Sequence, residues 1–166
     1  MPLSRAELAS RLRNLVFGVE DSLVSTVGLL SGVAIAGVAR ETILLTGVVL
    51  IFVEAFSMAA GTFLSEASEE DFLRIKTLSG RSSFIDGVVM FISYFISGFI
   101  PLSPYLFFSD GAAFHVSIGG SLIALLLLGL WGGHVSKASI WKSALRMFLV
   151  GGLAILVGIG AGQLVS

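Results

Sequence analysis

The sequence predicts an all-α polytopic membrane protein with five transmembrane helices, and three observations predict it. Of its 166 residues, 55% are hydrophobic and 13% are charged, where about a quarter are charged in an ordinary soluble domain. The mean hydropathy is +0.99. The apolar residues fall in five runs, 15–38, 42–64, 83–100, 112–131 and 144–165, and at about 1.5 Å per residue they run from roughly 27 to 36 Å, which matches a hydrocarbon layer of about 30 Å. The formal net charge of -1 offers no basic field for nucleic acid. The absence of cysteine excludes disulfides, Cys-ligated zinc, iron-sulfur clusters and thiol catalysis.

Residues 1–14 form a separate N-terminal segment. Ser4, with Glu7 three residues later, makes a capping box, which fits an amphipathic helix on the cytoplasmic membrane surface; a plain polar tail fits the composition equally. Residues 15–166 make the membrane domain. Its first run carries Glu20 and Asp21 and follows Arg5, Arg11 and Arg13, so it reads as a retained helix and not as a cleaved signal peptide. The second run follows the short turn "AGVARET" and runs antiparallel to the first. The acidic connection 65–82, "SEASEEDFLRIKTLSGRS", prolongs helix two and breaks at Gly80. Helix three stops against Pro101 and Pro104 in "FIPLSPYLFF", where a re-entrant or interfacial turn follows. Asp110 and Gly111 mark the loop before helix four.

Basic residues near helix ends resist translocation. With the N-terminus inside, Arg5, Arg11, Arg13, Arg74, Lys76, Arg81, Lys137, Lys142 and Arg146 all lie on one side and Arg40 alone on the other. This places the N-terminus in the cytoplasm and, after five crossings, the C-terminus outside. The membrane is the cell membrane in a prokaryote and a vacuolar-type membrane in a eukaryote.

Ionisable groups within a spanning segment are costly and usually face a partner, a cavity or a transport path. Glu20 and Asp21 lie in helix one and Glu54 in helix two, with Asp86 nearer the inner end of helix three and no lysine or arginine at comparable depth. Acids without a base call for protonation or a bound cation. Glu54, Met58 and Gly61 sit at i, i+4 and i+7, which puts carboxylate, thioether and bare backbone on one helix face, continued by Ser65. Gly18, Asp21, Ser25, Gly28 and Gly32 share a side of helix one at the same period, so the two stripes are expected to meet. Asp21 and Met58 each lie six residues, about 9 Å, from the inner ends of their runs, which sets them at similar depth.

Carboxylate oxygens with a thioether suit Fe²⁺ and Mn²⁺ better than Mg²⁺ or Ca²⁺. The blander alternatives are Met58 as core filler and Glu54 as a protonated carboxyl bonding a neighbouring helix. His115 and His134 read as interfacial residues, and the pairs Gly28/Gly32, Ser57/Gly61 and Gly158/Gly162 as close helix packing. No phosphate loop, nucleophile elbow or zinc-type His pair is present, so no enzyme is expected. The metal set is Asp21, Met58 and Glu54, with Glu20 as a supporting or proton-coupling acid. No cofactor is permanently bound; Fe²⁺ or Mn²⁺ is the transported substrate and H⁺ the coupling ion.

The runs "VFGVEDSLVSTVGLLSGVAIAG", "ILLTGVVLIFVEAFSMAAGTFLSEASEED", "FISYFISGFIPLSPYLFF" and "SALRMFLVGGLAILVGIGAGQLV" resemble the vacuolar iron transporter family in order and spacing over nearly the whole chain. The resemblance implies a homodimer of five-helix protomers that moves Fe²⁺, and often Mn²⁺, out of the cytosol in exchange for protons. It implies a pathway lined by an acid of the first motif and a methionine of the second, here Asp21 and Met58. Family members commonly carry "GEY" or "GEF" after the methionine, where this chain has Gly61, Thr62 and Phe63 and so lacks the acid directly after the glycine; Glu54 is the substitute proposed. Better-known members also insert a long glutamate-rich helical domain between helices two and three, where this chain has only 65–82. Its acids Glu66, Glu69 and Glu70, spaced i, i+3 and i+4, make a reduced cytoplasmic site for incoming metal, or simply a solvated helix end. The rival to transport is a non-transporting membrane scaffold whose intramembrane acids are protonated helix-helix hydrogen bonds.

Overall fold

A computed structural model describes residues 5–73 and 80–165. They form α1 (Arg5–Ile35), α2 (Arg40–Leu73), α3 (Gly80–Leu102), α4 (Pro104–Phe107), α5 (Asp110–Val135) and α6 (Ile140–Val165), with no strand among the described residues. Five of these helices are long and apolar enough to span a membrane: Glu7–Ile35, Arg40–Glu69, Ser82–Leu102, Gly111–Val135 and Ile140–Leu164. The five expected spans are therefore present, each longer than its apolar run. Ser4 and the residues just before Gly80 lie outside the described residues, and with them the expected capping box and the expected break. Residues 5–14 continue α1 without interruption.

The helices alternate in direction. The starts of α1, α3 and α6 and the ends of α2 and α5 share one end of the bundle, here called the basic end because Arg11, Arg13 and Lys142 lie there. In the packing order, α2 lies on α3, α3 on α1, α1 on α6 and α6 on α5, while α1 and α2 touch along a shorter seam. The core sits where α1 and α3 meet their neighbours. Leu23, Val27 and Leu30 of α1 are wholly buried, as are Ile51 of α2 and Leu125 of α5. By contrast α2 and α6 expose most of their apolar surface, including Phe52, Phe56, Leu153 and Leu156. Such faces suit lipid, which carries no penalty for contact with hydrocarbon.

Two local features explain where helices end. The first apolar run reaches residue 38, but α1 stops at Ile35 because Gly37 adopts a left-handed φ of 73°, a conformation that glycine takes without a Cβ clash. The third helix was expected to stop against Pro101; it runs one residue further, to Leu102. Pro101 sits in the last turn, where the lost N–H costs one bond only, and its carbonyl accepts the Ser117 hydroxyl of α5 at 2.7 Å. The turn beyond it is the four-residue α4, with Pro104 at its start.

The small residues of α1 and α6 have a clear task. A Cβ on Gly158 would collide with the Gly28 carbonyl, and one on Gly162 with the Gly32 carbonyl. The Gly28/Gly32 and Gly158/Gly162 pairs thus pack against each other within one protomer, as backbone-to-backbone contact between helices requires. The stripe of α1 is divided accordingly: Gly28 and Gly32 face α6, whereas Gly18 faces Met90 and Ser93 of α3. The α1 and α2 stripes, expected to meet, lie on helices that touch along a shorter seam than either makes with α3, with Asn14 and Glu66 in contact on it.

Candidate metal-handling site

Hydroxyl bonds fix the rotation of α1 against α3. Ser22 donates to the Tyr94 carbonyl at 2.7 Å, and the Ser25 and Tyr94 hydroxyls share a bond of 2.7 Å. With α1 so turned, Asp21 is half-buried and close enough to Glu54 of α2 for their charges to act on each other. Both carboxylates also act on the Tyr94 hydroxyl. Two carboxylates from different helices and a buried phenol therefore surround one region of the span. An ion pair joins Arg13 to Glu66 at the basic end, and no basic side chain among the described residues pairs with Asp21 or Glu54.

Glu20 differs from its neighbour. It feels the charge of Asp21 and also that of Arg146 on α6, which corrects the expectation that no basic residue lies at its depth. The sequence reading set Arg146 around the start of helix five; on α6, which begins at Ile140, Arg146 is exposed.

Met58 is half-buried, one turn from Glu54 towards the basic end, and Gly61 and Ser65 continue its face onto the open surface. A contact lower in the bundle provides a common depth marker. Asn14 Nδ2 donates to Glu66 Oε1 at 3.2 Å, so these residues of α1 and α2 are level. Asp21 is then about 10 Å and Met58 about 12 Å further into the span, and Glu54 about 18 Å, at 1.5 Å per residue. Asp21 and Met58 share a level. No three His, Cys, Asp or Glu side chains converge among the described residues, so an ion at Asp21 needs oxygen or sulfur from Glu54, Met58 or the backbone to complete its shell.

At the basic end Glu66 turns inward, towards α1. Its Oε1 accepts from Ser10 at 3.1 Å and lies 3.5 Å from the Arg13 guanidinium. Glu66 and Glu69 line one cavity of about 460 Å³ together with Asn14, Thr62, Ser65 and Met90. The side chain of Glu70 lies outside the described residues. His115 and His134 are exposed near helix ends, away from both groups of acids.

The sequence reasoning left out Tyr94, Asn14 and Met90. A signal existed for Asn14, which precedes Gly18, Asp21 and Ser25 at helical spacing and so continues the same face. None existed for Tyr94, whose place beside Asp21 depends on α3 packing against α1.

The VIT family profile matches residues 12–81 and 73–163. The chain belongs to the VIT family. It is 29% identical over 172 residues to vacuolar iron transporter homolog 1 of Arabidopsis thaliana, a match that covers 95% of this chain and 84% of that protein. It is 27% identical over 167 residues to vacuolar iron transporter homolog 2 of Oryza sativa subsp. japonica, covering 90% and 87%. A shorter match, 31% over 95 residues, joins it to the vacuolar iron transporter cccA of Arthroderma benhamiae, covering 52% and 34%. VIT-family chains are membrane transporters and not enzymes. In this VIT chain the larger cavity, about 730 Å³ between α1 and α6, is walled by residues such as Val24, Leu29, Leu153 and Val157, with Ser25 as its polar side chain. It offers a metal almost nothing, in contrast to the side where α1, α2 and α3 meet, which carries Asp21, Glu54 and Tyr94.

Proposed function

We propose that this VIT-family chain exports a divalent transition metal, Fe²⁺ and also Mn²⁺, from the cytosol across its membrane in exchange for protons. The observation that carries the reading is the approach of Asp21 and Glu54 from separate helices within the span, without a basic partner. Carboxylates in so apolar a setting hold either a proton or a cation, and each displaces the other, which is the physical basis of exchange. Met58, level with Asp21, adds the thioether that favours Fe²⁺ and Mn²⁺ over Mg²⁺ or Ca²⁺. Glu20, offset by Arg146, is a supporting acid. The names of the relatives support iron as cargo.

The basic end is assigned to the cytoplasm by its excess of arginine and lysine, and Glu66 and Glu69 would meet metal there first. A homodimer suits the half-covered face of Met58 and the exposed Ser57 and Gly61 beside it, because a second copy would close the pathway from lipid. The test is Fe²⁺ and Mn²⁺ uptake by proteoliposomes under a pH gradient. Asp21→Asn is expected to abolish flux while the elution volume in detergent stays unchanged. Undiminished flux in that variant, or no metal-dependent thermal stabilisation in the parent chain, would favour the scaffold reading.

A further inference from the structure

Asp86 of α3 is 2% exposed and its Oδ1 has no hydrogen-bond partner. Its carboxyl lies within hydrogen-bonding reach of the Glu66 carboxyl on α2. Two carboxyl groups in contact, one of them buried, repel each other when ionised, and a proton on one or a cation between them relieves this. Arg13 supplies little. It reaches Glu66 alone, at 3.5 Å, with its side chain 68% exposed, and an exposed pair of this kind is worth about 0–1 kcal/mol.

We infer that Asp86, Glu66, Asn14 and Met90 form a second divalent-cation site, separate from Asp21, Glu54 and Met58. Four observations converge on it. The unpartnered Asp86 oxygen offers free lone pairs beside Glu66. Asn14, already in contact with Glu66 at 3.2 Å, would turn its carbonyl oxygen to a cation by a half-rotation of its amide. Met90 follows Asp86 by one helical turn on α3, is 1% exposed, and lines the same cavity of about 460 Å³ as Asn14 and Glu66. The cavity also gives the site an approach from the basic end, past Glu69 and Ser65. Two carboxylates, an amide oxygen and a thioether are a mixed set suited to Mn²⁺, Fe²⁺ or Co²⁺ and poorly matched to Mg²⁺, which keeps an oxygen-only octahedron.

The site lies about 10 Å below the level of Asp21, so the two positions are distinct. Its role as a loading station for the deeper pathway rests on the transport reading above; its capacity to bind metal does not.

Calorimetric titration of the purified full-length chain with MnCl₂ tests it. The parent chain is expected to bind two Mn²⁺ per protomer and Asp21→Asn to retain one. Adding Asp86→Asn, or separately Glu66→Gln, to Asp21→Asn is expected to weaken that remaining binding by about tenfold or more. Glu66→Gln, at the cavity wall, keeps the test open if the buried Asp86→Asn variant does not fold. Mn²⁺ binding unchanged in both double variants, or absent from Asp21→Asn alone, overturns the inference. Proteoliposome flux separates this from the transport reading. Flux that needs Asp21, alongside Mn²⁺ binding indifferent to Asp86 and Glu66, defeats the second site only. Binding that needs Asp86 and Glu66, in a chain with no flux, supports the site and defeats transport.

Discussion

The hydroxyls of Tyr94 and Ser25 meet at 2.7 Å across the seam between α3 and α1, with Tyr94 wholly buried and its backbone carbonyl held by Ser22 at 2.7 Å. The bond links the helix that carries Asp21 to the helix that carries Asp86. Tyr94→Phe keeps the ring and removes the link, so it is expected to cost about 1 kcal/mol and to lower the melting temperature in detergent. Adding Ser25→Ala should then cost little more, since both changes delete the same interaction. Fully additive losses in this cycle would show that the bond does not join the helices.

The seam between α1 and α6 depends on bare backbone. A methyl on Gly158 would strike the Gly28 carbonyl, while Gly160, on the same helix, has nothing within 4 Å of an added Cβ. Gly158→Ala is therefore expected to destabilise by about 1–3 kcal/mol, the usual cost of overpacking. Gly160→Ala should be neutral or slightly stabilising, because alanine is the better helix former. Equal melting temperatures for the two variants would contradict the packing described.

The order of helices and the presence of five spans were readable because lipid solvent demands long apolar runs, and runs such as 42–64 and 144–165 are visible without knowing what they touch. The acids were readable for the same reason, since Asp21 and Glu54 interrupt such runs. Neighbour relations were not. The short turn between α1 and α2 suggested that their stripes meet, but it could not show that the close backbone approach of Gly28 to Gly158 also draws α1 onto α6, or that the Ser22 and Ser25 bonds draw it onto α3. Each is a contact between residues far apart in sequence, and periodicity within one helix cannot reveal its partner. The same limit hid Met90 and Tyr94, which read as ordinary apolar positions of α3. The charge of Arg146 at Glu20 was hidden in the same way, since it depends on how α6 packs on α1.

If Met58 is a ligand, its sulfur should matter more than its volume. Met58→Leu preserves size, and such swaps usually cost less than about 1.5 kcal/mol, so the melting temperature without metal should barely move. Stabilisation by metal should fall, and by more for Fe²⁺ than for the harder Mn²⁺, because a thioether favours the softer ion. The measurement is a thermal shift in detergent over a range of each metal under anaerobic conditions. Identical stabilisation of parent and variant by both ions would make Met58 a packing residue.

Arg40, at the end of the bundle opposite Arg11, Arg13 and Lys142, has a structural use. Its Nε donates to the Tyr105 carbonyl at 2.5 Å, which ties the start of α2 to α4. A helix of four residues cannot persist on its own; the backbone bonds that close this one include Leu106 to Ser103 at 2.9 Å and Phe108 to Pro104 at 3.0 Å. A hydrogen bond from a charged donor is worth about 1.5–3 kcal/mol, so Arg40→Ala is expected to loosen α4 more than it lowers global stability. Hydrogen exchange should show faster exchange at Leu106 and Phe108, with the interior amides of α3 unchanged. Arg40→Lys should restore protection only in part, since an ammonium group cannot present the guanidinium's fixed donor geometry. Protection at Leu106 and Phe108 that survives Arg40→Ala would mean that the packing of α4 on α5 suffices to hold this turn.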